Sequence, residues 1–240
     1  MRTFILLAAF SFTLAFSTNA QLTISAKAGW NNTAVHLVKT QQAYKYKSQQ
    51  GWQTGLQAGY ALKNWMLYTG LQVDKRYFNY NESDDGKTGR FYKPTFFTLP
   101  LGLGYNYALT KNFGLRFYTG LYVSTGVGGK YYSRSDQSLT YPPYMCDPGA
   151  CPETFNIEDR KIRYGNQTAN STPADLKATN WGTQFGLGIL AWRQVELLCM
   201  YDLGLSNILP SGITGEDHRL RSISIDLKVN VATFNKSAKK

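Results

Sequence analysis

Seven ionisable residues share one address in this sequence. Lys27, Asp74, Arg116, Glu196, Asp202, Asp226 and Lys228 each lie within a stretch of alternating apolar and polar residues, and each occupies the polar phase. In an extended strand, alternate side chains point to opposite faces, so all seven belong to one face of whatever sheet these stretches form. Both signs are present, which a water-poor interior requires if every charge is to find a partner. Such a set can form a hydrogen-bonded structural plug or a relay for protons or ions. The plug is the expectation, because the mixed signs let the groups pair with one another.

Other residues with chemical potential lie between the patterned stretches. Cys146 and Cys151 bracket Asp147-Pro148-Gly149-Ala150, a turn sequence that could bring the two sulfurs together, and are a disulfide candidate. A metal site there would need further ligands, and the histidines, His36 and His218, fall in other segments. Cys199 lies on the apolar phase and behaves as a small hydrophobe. Asp84-Asp85 and Asp217-His218 could activate a water only if folding brought them within hydrogen-bond reach of it, and Asp-Asp-Gly is a common turn. Gly126-x-Gly128-Gly129-Lys130 superficially matches a phosphate loop, yet it ends a strand pattern and opens no helix. No catalytic, cofactor or metal residue is therefore expected.

The element that organises the chain runs from Phe96 to Gly129. Phe97, Leu99, Leu101, Leu103, Tyr105 and Tyr107 take every second position of its first arm. After a turn at Thr110-Lys111-Asn112, Phe113, Leu115, Phe117, Thr119, Leu121 and Val123 do the same on the second. Each arm has about ten to twelve residues, the length of a tilted strand crossing a bilayer. The pattern recurs over Leu22–Trp30, Trp52–Leu62, Trp65–Asp74, Trp181–Ile189, Val195–Ser206 and Ile223–Val231, giving eight strands. The connections after the second, fourth and sixth strands are turns. Those after the first, third, fifth and seventh are polar loops, about 31–50, 79–94, 130–180 and 207–220. One rim of an up-and-down barrel would then carry short turns and the other long loops, the asymmetry of outer-membrane barrels.

Alternation alone also suits a soluble lipid-binding barrel with its apolar face inward. The polar phase decides against that, because it is rich in Gly, Gln, Ser, Asn and Tyr with few charges, which suits a crowded lumen rather than a water-exposed wall. The expected fold is therefore all-β: an eight-stranded antiparallel up-and-down transmembrane β-barrel. Trp and Tyr favour the two headgroup levels of a bilayer. Trp30, Trp52, Phe97 and Trp181 would form the loop-side belt, and Tyr60, Trp65, Tyr105, Tyr107, Phe113 and Trp192 the turn-side belt. Eight strands leave a lumen that side chains just fill, so an open pore is not expected.

The N-terminus carries Arg2, an apolar run from Phe4 to Phe16 and a small-residue end at Ser17-Thr18-Asn19-Ala20, the pattern of a cleaved secretory signal. The expected organisation is signal peptide 1–20, barrel 21–234 and periplasmic tail 235–240. The net charge of +11 is spread over turns, loops and tail. No stripe interleaved with aromatics exists of the kind nucleic acid requires, so the expected anionic partners are outer-membrane lipid and lipopolysaccharide.

Four segments carry a family resemblance: Ala26-Lys27-Ala28-Gly29-Trp30-Asn31, Thr98-Leu99-Pro100-Leu101-Gly102, the run from Gly120 to Lys130, and Tyr201-Asp202-Leu203-Gly204-Leu205-Ser206-Asn207-Ile208. In order and spacing the chain resembles the PorT-type outer-membrane β-barrel domain of Bacteroidota. The resemblance implies an eight-stranded outer-membrane barrel, with a link to type IX secretion in a subset of members. The long third loop with its two cysteines departs from that pattern. So does Phe234, whose parity is opposite to that of Val229 and Val231. Asp84-Asp85 with Asp217-His218 faintly resembles the site of omptin proteases, a family of ten-stranded barrels. The expected function is a non-catalytic structural or interaction role in the outer membrane, with a protein partner reached through the outer loops. A secretion accessory is the alternative, followed by a rim hydrolase and a soluble lipid-binding barrel.

Overall fold

The structure, a computed structural model, describes residues 20–39, 45–81, 89–136, 155–165, 174–192, 194–210 and 217–235. Cys146, Cys151, Asp84, Asp85 and residues 1–19 of the N-terminal signal pattern lie outside the described residues. The strands are β1 (Ala20–Lys39), β2 (Lys45–Leu62), β3 (Trp65–Lys75), β4 (Phe78–Asn81), β5 (Gly89–Ala108), β6 (Phe113–Asp136), β7 (Phe155–Lys161), β8 (Thr179–Ala191), β9 (Val195–Gly204) and β10 (Asp217–Asn235).

Eight of these close into an antiparallel ring, β1-β2-β3-β5-β6-β8-β9-β10, with β10 returning to β1. The two short strands prolong the wall. Past a break at Arg76 and Tyr77, β4 carries on the line of β3 between β2 and β5. β7 pairs with the far end of β6, beyond the part that pairs with β8.

Three short turns set one rim. Lys63 and Trp192 take left-handed backbone conformations, φ 55° and 48°, in the turns after β2 and β8. Between β5 and β6 the Thr110 hydroxyl accepts from the amides of Asn112 and Phe113 at 3.2 and 3.0 Å, a side-chain cap that suits the Thr-Lys-Asn sequence. The opposite rim departs from the sequence-based expectation. Among the described residues, most of the polar stretches read as loops are strand: β1 runs on to Lys39, β2 starts at Lys45, β5 at Gly89, β6 reaches Asp136, and β10 starts at Asp217. Above a membrane no apolar outer face is needed, so the ladder continues where the expected alternation stops.

The alternation sorts side chains as expected in the lower wall. Leu121 points outward, 55% exposed, while its neighbour Tyr122 points inward, 1% exposed. Two glycines make room for lumen side chains: a Cβ at Gly102 would meet the Tyr68 hydroxyl, and one at Gly188 the Glu196 carboxylate. Phe234 is the second difference. A β-bulge leaves Val231 without a partner, because Ser25 faces Asn230 and Ile24 faces Ala232. The extra residue resets the parity, so Phe234 stands opposite Leu22 on the outer face, 56% exposed.

If the outer face meets hydrocarbon, a charge at mid-height is costly. Leu121→Arg should destabilise the barrel by about 2–4 kcal/mol in urea unfolding from lipid vesicles, while the same change on the water-facing upper wall should cost under about 1 kcal/mol.

Candidate functional site

The ring brings all seven expected ionisable residues to its lumen, in two clusters. Nearer the turns, Glu196 accepts from Arg116 Nη1 at 2.8 Å and from the Tyr118 hydroxyl at 2.6 Å, and pairs with Lys228 Nζ at 2.7 Å. Lys228 also donates to the Tyr118 oxygen at 2.5 Å, and Arg116 Nε donates to Asn106 Oδ1. Tyr118 in turn meets Tyr68 edge-on at 5.3 Å, and Gln184 donates to the Tyr68 oxygen at 2.7 Å.

The second cluster lies nearer the opposite rim. Arg76 Nη2 bridges Asp74 at 3.0 Å and Asp202 at 3.1 Å, and Asp74 also accepts from Thr98 at 2.6 Å and Gln72 at 3.1 Å. Gln53 donates to both oxygens of Asp226, at 2.8 and 2.7 Å, with Lys27 Nζ 3.8 Å from the same carboxylate. Arg76 lies outside the expected set because the alternating pattern of the third strand stops at Asp74. It sits two residues on in the same phase, so extending the alternation one step would have found it. With Arg76 included, four cations, Lys27, Arg76, Arg116 and Lys228, face four carboxylates, Asp74, Glu196, Asp202 and Asp226. Among the described residues these paired groups balance one another's charge. Arg116 and Lys228 also border a cavity of about 340 Å³ at the turn end.

Above the second cluster the interior changes character. Val35, Phe78, Phe96, Tyr131, Ile162, Leu176, Ile208 and Leu220 form a buried apolar core inside the upper wall. Ile162, Leu176 and Ile208 come from segments between strands that fold over the mouth. They are tied down by Lys177 N–H to the Ile208 carbonyl at 2.8 Å and Ile208 N–H to the His218 carbonyl at 2.8 Å. Arg160 latches this cap: its guanidinium donates to both Asp175 oxygens at 2.5 and 2.7 Å and lies 4.3 Å over the Tyr131 ring. The Tyr164 hydroxyl donates to the Gly128 carbonyl at 2.8 Å.

A scan of protein families matches residues 12–209 to the model described as outer membrane protein beta-barrel domain. The chain belongs to that family. No curated protein matches it. Among solved structures, this outer-membrane barrel is similar to Ail, the attachment invasion locus protein of Yersinia pestis, solved with the heparin analogue sucrose octasulfate (12% identity, 91% of this chain and 100% of that one, TM-score 0.40). It is also similar to Neisserial surface protein A (11%, 86% and 96%, TM-score 0.41) and to OprG of Pseudomonas aeruginosa (12%, 91% and 96%, TM-score 0.37).

The aromatic residues expected at the membrane levels point away from the lumen of this outer-membrane barrel. Trp30 and Trp52 are cross-strand partners near the loop rim, with Phe97 and Trp181 exposed on neighbouring wall. Near the turns Trp65 meets Tyr105 at 4.9 Å, Phe113 meets Trp192 at 5.9 Å, and Tyr107 is exposed. Tyr60 lies on the same outward phase of β2, opposite Leu22 and Leu67, and Phe234 joins this rim. The two histidines lie on strands rather than in loops: His36 is on β1, and His218 is on β10. Asp217 and His218 do not form a dyad: Asp217 is held by Arg219 at 2.6 Å, whereas His218 is 2% exposed on the opposite phase of β10.

Two outcomes test these clusters. Glu196→Ala would leave Arg116 and Lys228 facing each other without their carboxylate, and should cost about 3–5 kcal/mol in unfolding free energy. The cap should also respond to acid. Burial pushes the Asp175 carboxyl up, but Arg160 and the Arg163 amide outweigh it and hold the group below the usual carboxylate range. A folded value below the unfolded one means that the stabilisation is complete above the ordinary carboxylate range and is lost as pH falls through the folded value. Protection of the 160–164 amides, taken relative to their intrinsic exchange rates, should therefore fall below that range, and Asp175→Asn should make that protection low and flat with pH.

Proposed function

We propose that this outer-membrane barrel is a non-catalytic, closed scaffold that holds a rigid extracellular cap and its loops in front of an interaction partner. The observation that carries this reading is the double closure of its interior. Ion-paired side chains cross the lumen from Arg116 through Glu196 to Lys228, and from Asp74 through Arg76 to Asp202. An apolar core then fills the mouth above them. Breaking either would expose buried charge or apolar surface, so neither serves as a gate at low cost. The exported N-terminal pattern, cleavage near Ala20 and contact with outer-leaflet lipid belong to the same reading. So does a disulfide formed by the candidate pair Cys146 and Cys151 in the chain between β6 and β7.

The resemblance to PorT-type barrels favours one specific partner, a secretion or assembly complex of the Bacteroidota envelope. Residues 137–154 are the segment to remove, because a wider deletion would take away β7 and cap residue Ile162. Loss of secretion with an intact barrel would support the secretion role; unchanged secretion with lost surface binding would point to adhesion.

Purified protein inserted into planar bilayers should show no steady single-channel conductance in physiological salt, whereas Glu196→Ala should raise conductance or noise. Reproducible open channels from the unmodified chain would overturn the closed-scaffold reading.

A further inference from the structure

Lys93, Lys130 and Lys161 lie in one row across three adjacent strands. Lys93 on β5 stands directly opposite Lys130 on β6, and Lys130 stands directly opposite Lys161 on β7. Residues opposite each other in an antiparallel ladder share a face, with Cβ atoms about 4.5–5.5 Å apart, and like charges so placed repel. That face is the outer wall: Tyr92, one residue from Lys93, and Tyr131, one residue from Lys130, pack on the interior core. All three lysines are exposed. Among the described residues the row has one ion pair, Lys130 to Asp159 at 3.8 Å, which offsets one of its three charges.

The surroundings suit a polar headgroup. Lys93, Lys130 and Asp159 border, with Gln49, Phe91 and Tyr132, a surface cavity of about 390 Å³. Phe91 and Tyr132 meet edge-on at 5.8 Å, one step further out on the same face, and Lys93 Nζ lies 5.8 Å from the Tyr77 ring. Below, Lys75 Nζ sits 5.2 Å over Trp52, at the level of the loop-side aromatics. The height is set by the strand. Lys93 is four residues beyond Phe97, about 13 Å along β5, which strand tilt reduces to about 10 Å of elevation. That level is outside the hydrocarbon, and the lysine side chains are long enough to reach down from it to the charged headgroups.

We infer that the outward lysine row Lys93-Lys130-Lys161 is a binding site for the phosphates of an outer-leaflet glycolipid, the lipid A portion of lipopolysaccharide. Charge complementarity selects this occupant: dianionic groups bridge neighbouring ammonium groups and relieve their repulsion, while the acyl chains of the same molecule lie on the apolar wall below. The site rests on the reading of a barrel embedded in the outer leaflet, with the lysine row at the boundary between the headgroups and the water-facing upper wall.

The test uses the full chain refolded in nonionic detergent, titrated with lipid A bearing both phosphates, with dephosphorylated lipid A and with inorganic phosphate, followed by native mass spectrometry. The phosphorylated lipid should bind about tenfold more tightly than the dephosphorylated one, with the advantage shrinking at high salt. Lys93→Gln/Lys130→Gln/Lys161→Gln should abolish the advantage, the triple Lys→Arg variant should retain it, and Lys63→Gln/Lys111→Gln on the turn rim should leave it unchanged. An advantage surviving in the triple Gln variant would overturn the site. So would displacement of the lipid by equimolar inorganic phosphate, which would mark a free-anion site. Heat-modifiable gel migration on every sample keeps the two readings apart. Protein that shifts on boiling but shows no phosphate preference refutes the row alone; protein that does not shift refutes the embedded barrel and the site with it.

Discussion

The pairing of the first strand with the last is the constraint on which the rest depends. β1 and β10 pair from Gln21 opposite Asn235 to Lys39 opposite Asp217, with register shifts at Ile24/Ser25 and Leu37/Lys39, and this seam turns a sheet with two open edges into a ring. In hydrocarbon every unpaired backbone amide or carbonyl costs several kcal/mol, so an open sheet cannot stand there and a closed one can. The seam also carries the correction that the chain needs at its end. The bulge at Val231 shifts the phase by one residue, and the last turn of β10 presents Phe234 outward instead of forcing it into the polar lumen.

Closure fixes the lumen, and a narrow lumen dictates its chemistry. With eight strands the inward side chains must fill the space themselves. Glycines at Gly102 and Gly188 yield room to Tyr68 and Glu196, and four cations meet four carboxylates in two clusters. Low polarity makes such pairs costly to separate, since each partner alone would be a buried charge. The network therefore specifies one arrangement of the strands more than it adds net stability.

The barrel reverses its polarity along its axis. In the lower wall Leu121 faces outward and Tyr122 inward, while above the level of Trp52 and Phe97 the inward residues are Val35, Phe96, Tyr131 and Leu220. The solvent outside explains the change. Lipid rewards apolar groups on the wall, whereas water rewards burying them, so the upper part folds like a soluble β-protein with its core inside. Arg160 and Asp175 then lock the segments that close the mouth.

The sequence by itself determined the lower barrel: eight alternating stretches, three tight turns, the outward aromatics and the seven lumen charges were all legible. A strand's two-residue period is a local property, and lipid imposes it on every crossing in the same way. Only the tertiary structure decided where the strands end, that Arg76 joins Asp74 and Asp202, that Phe234 faces out, and that Ile162, Leu176 and Ile208 plug the mouth. Each of these depends on a neighbour distant in sequence. The upper wall keeps its ladder without the apolar outer face that marks a crossing. The bulge exists only relative to β1. The pairing of lysines 93, 130 and 161 is a matter of register between three strands, and register is not written in any one of them.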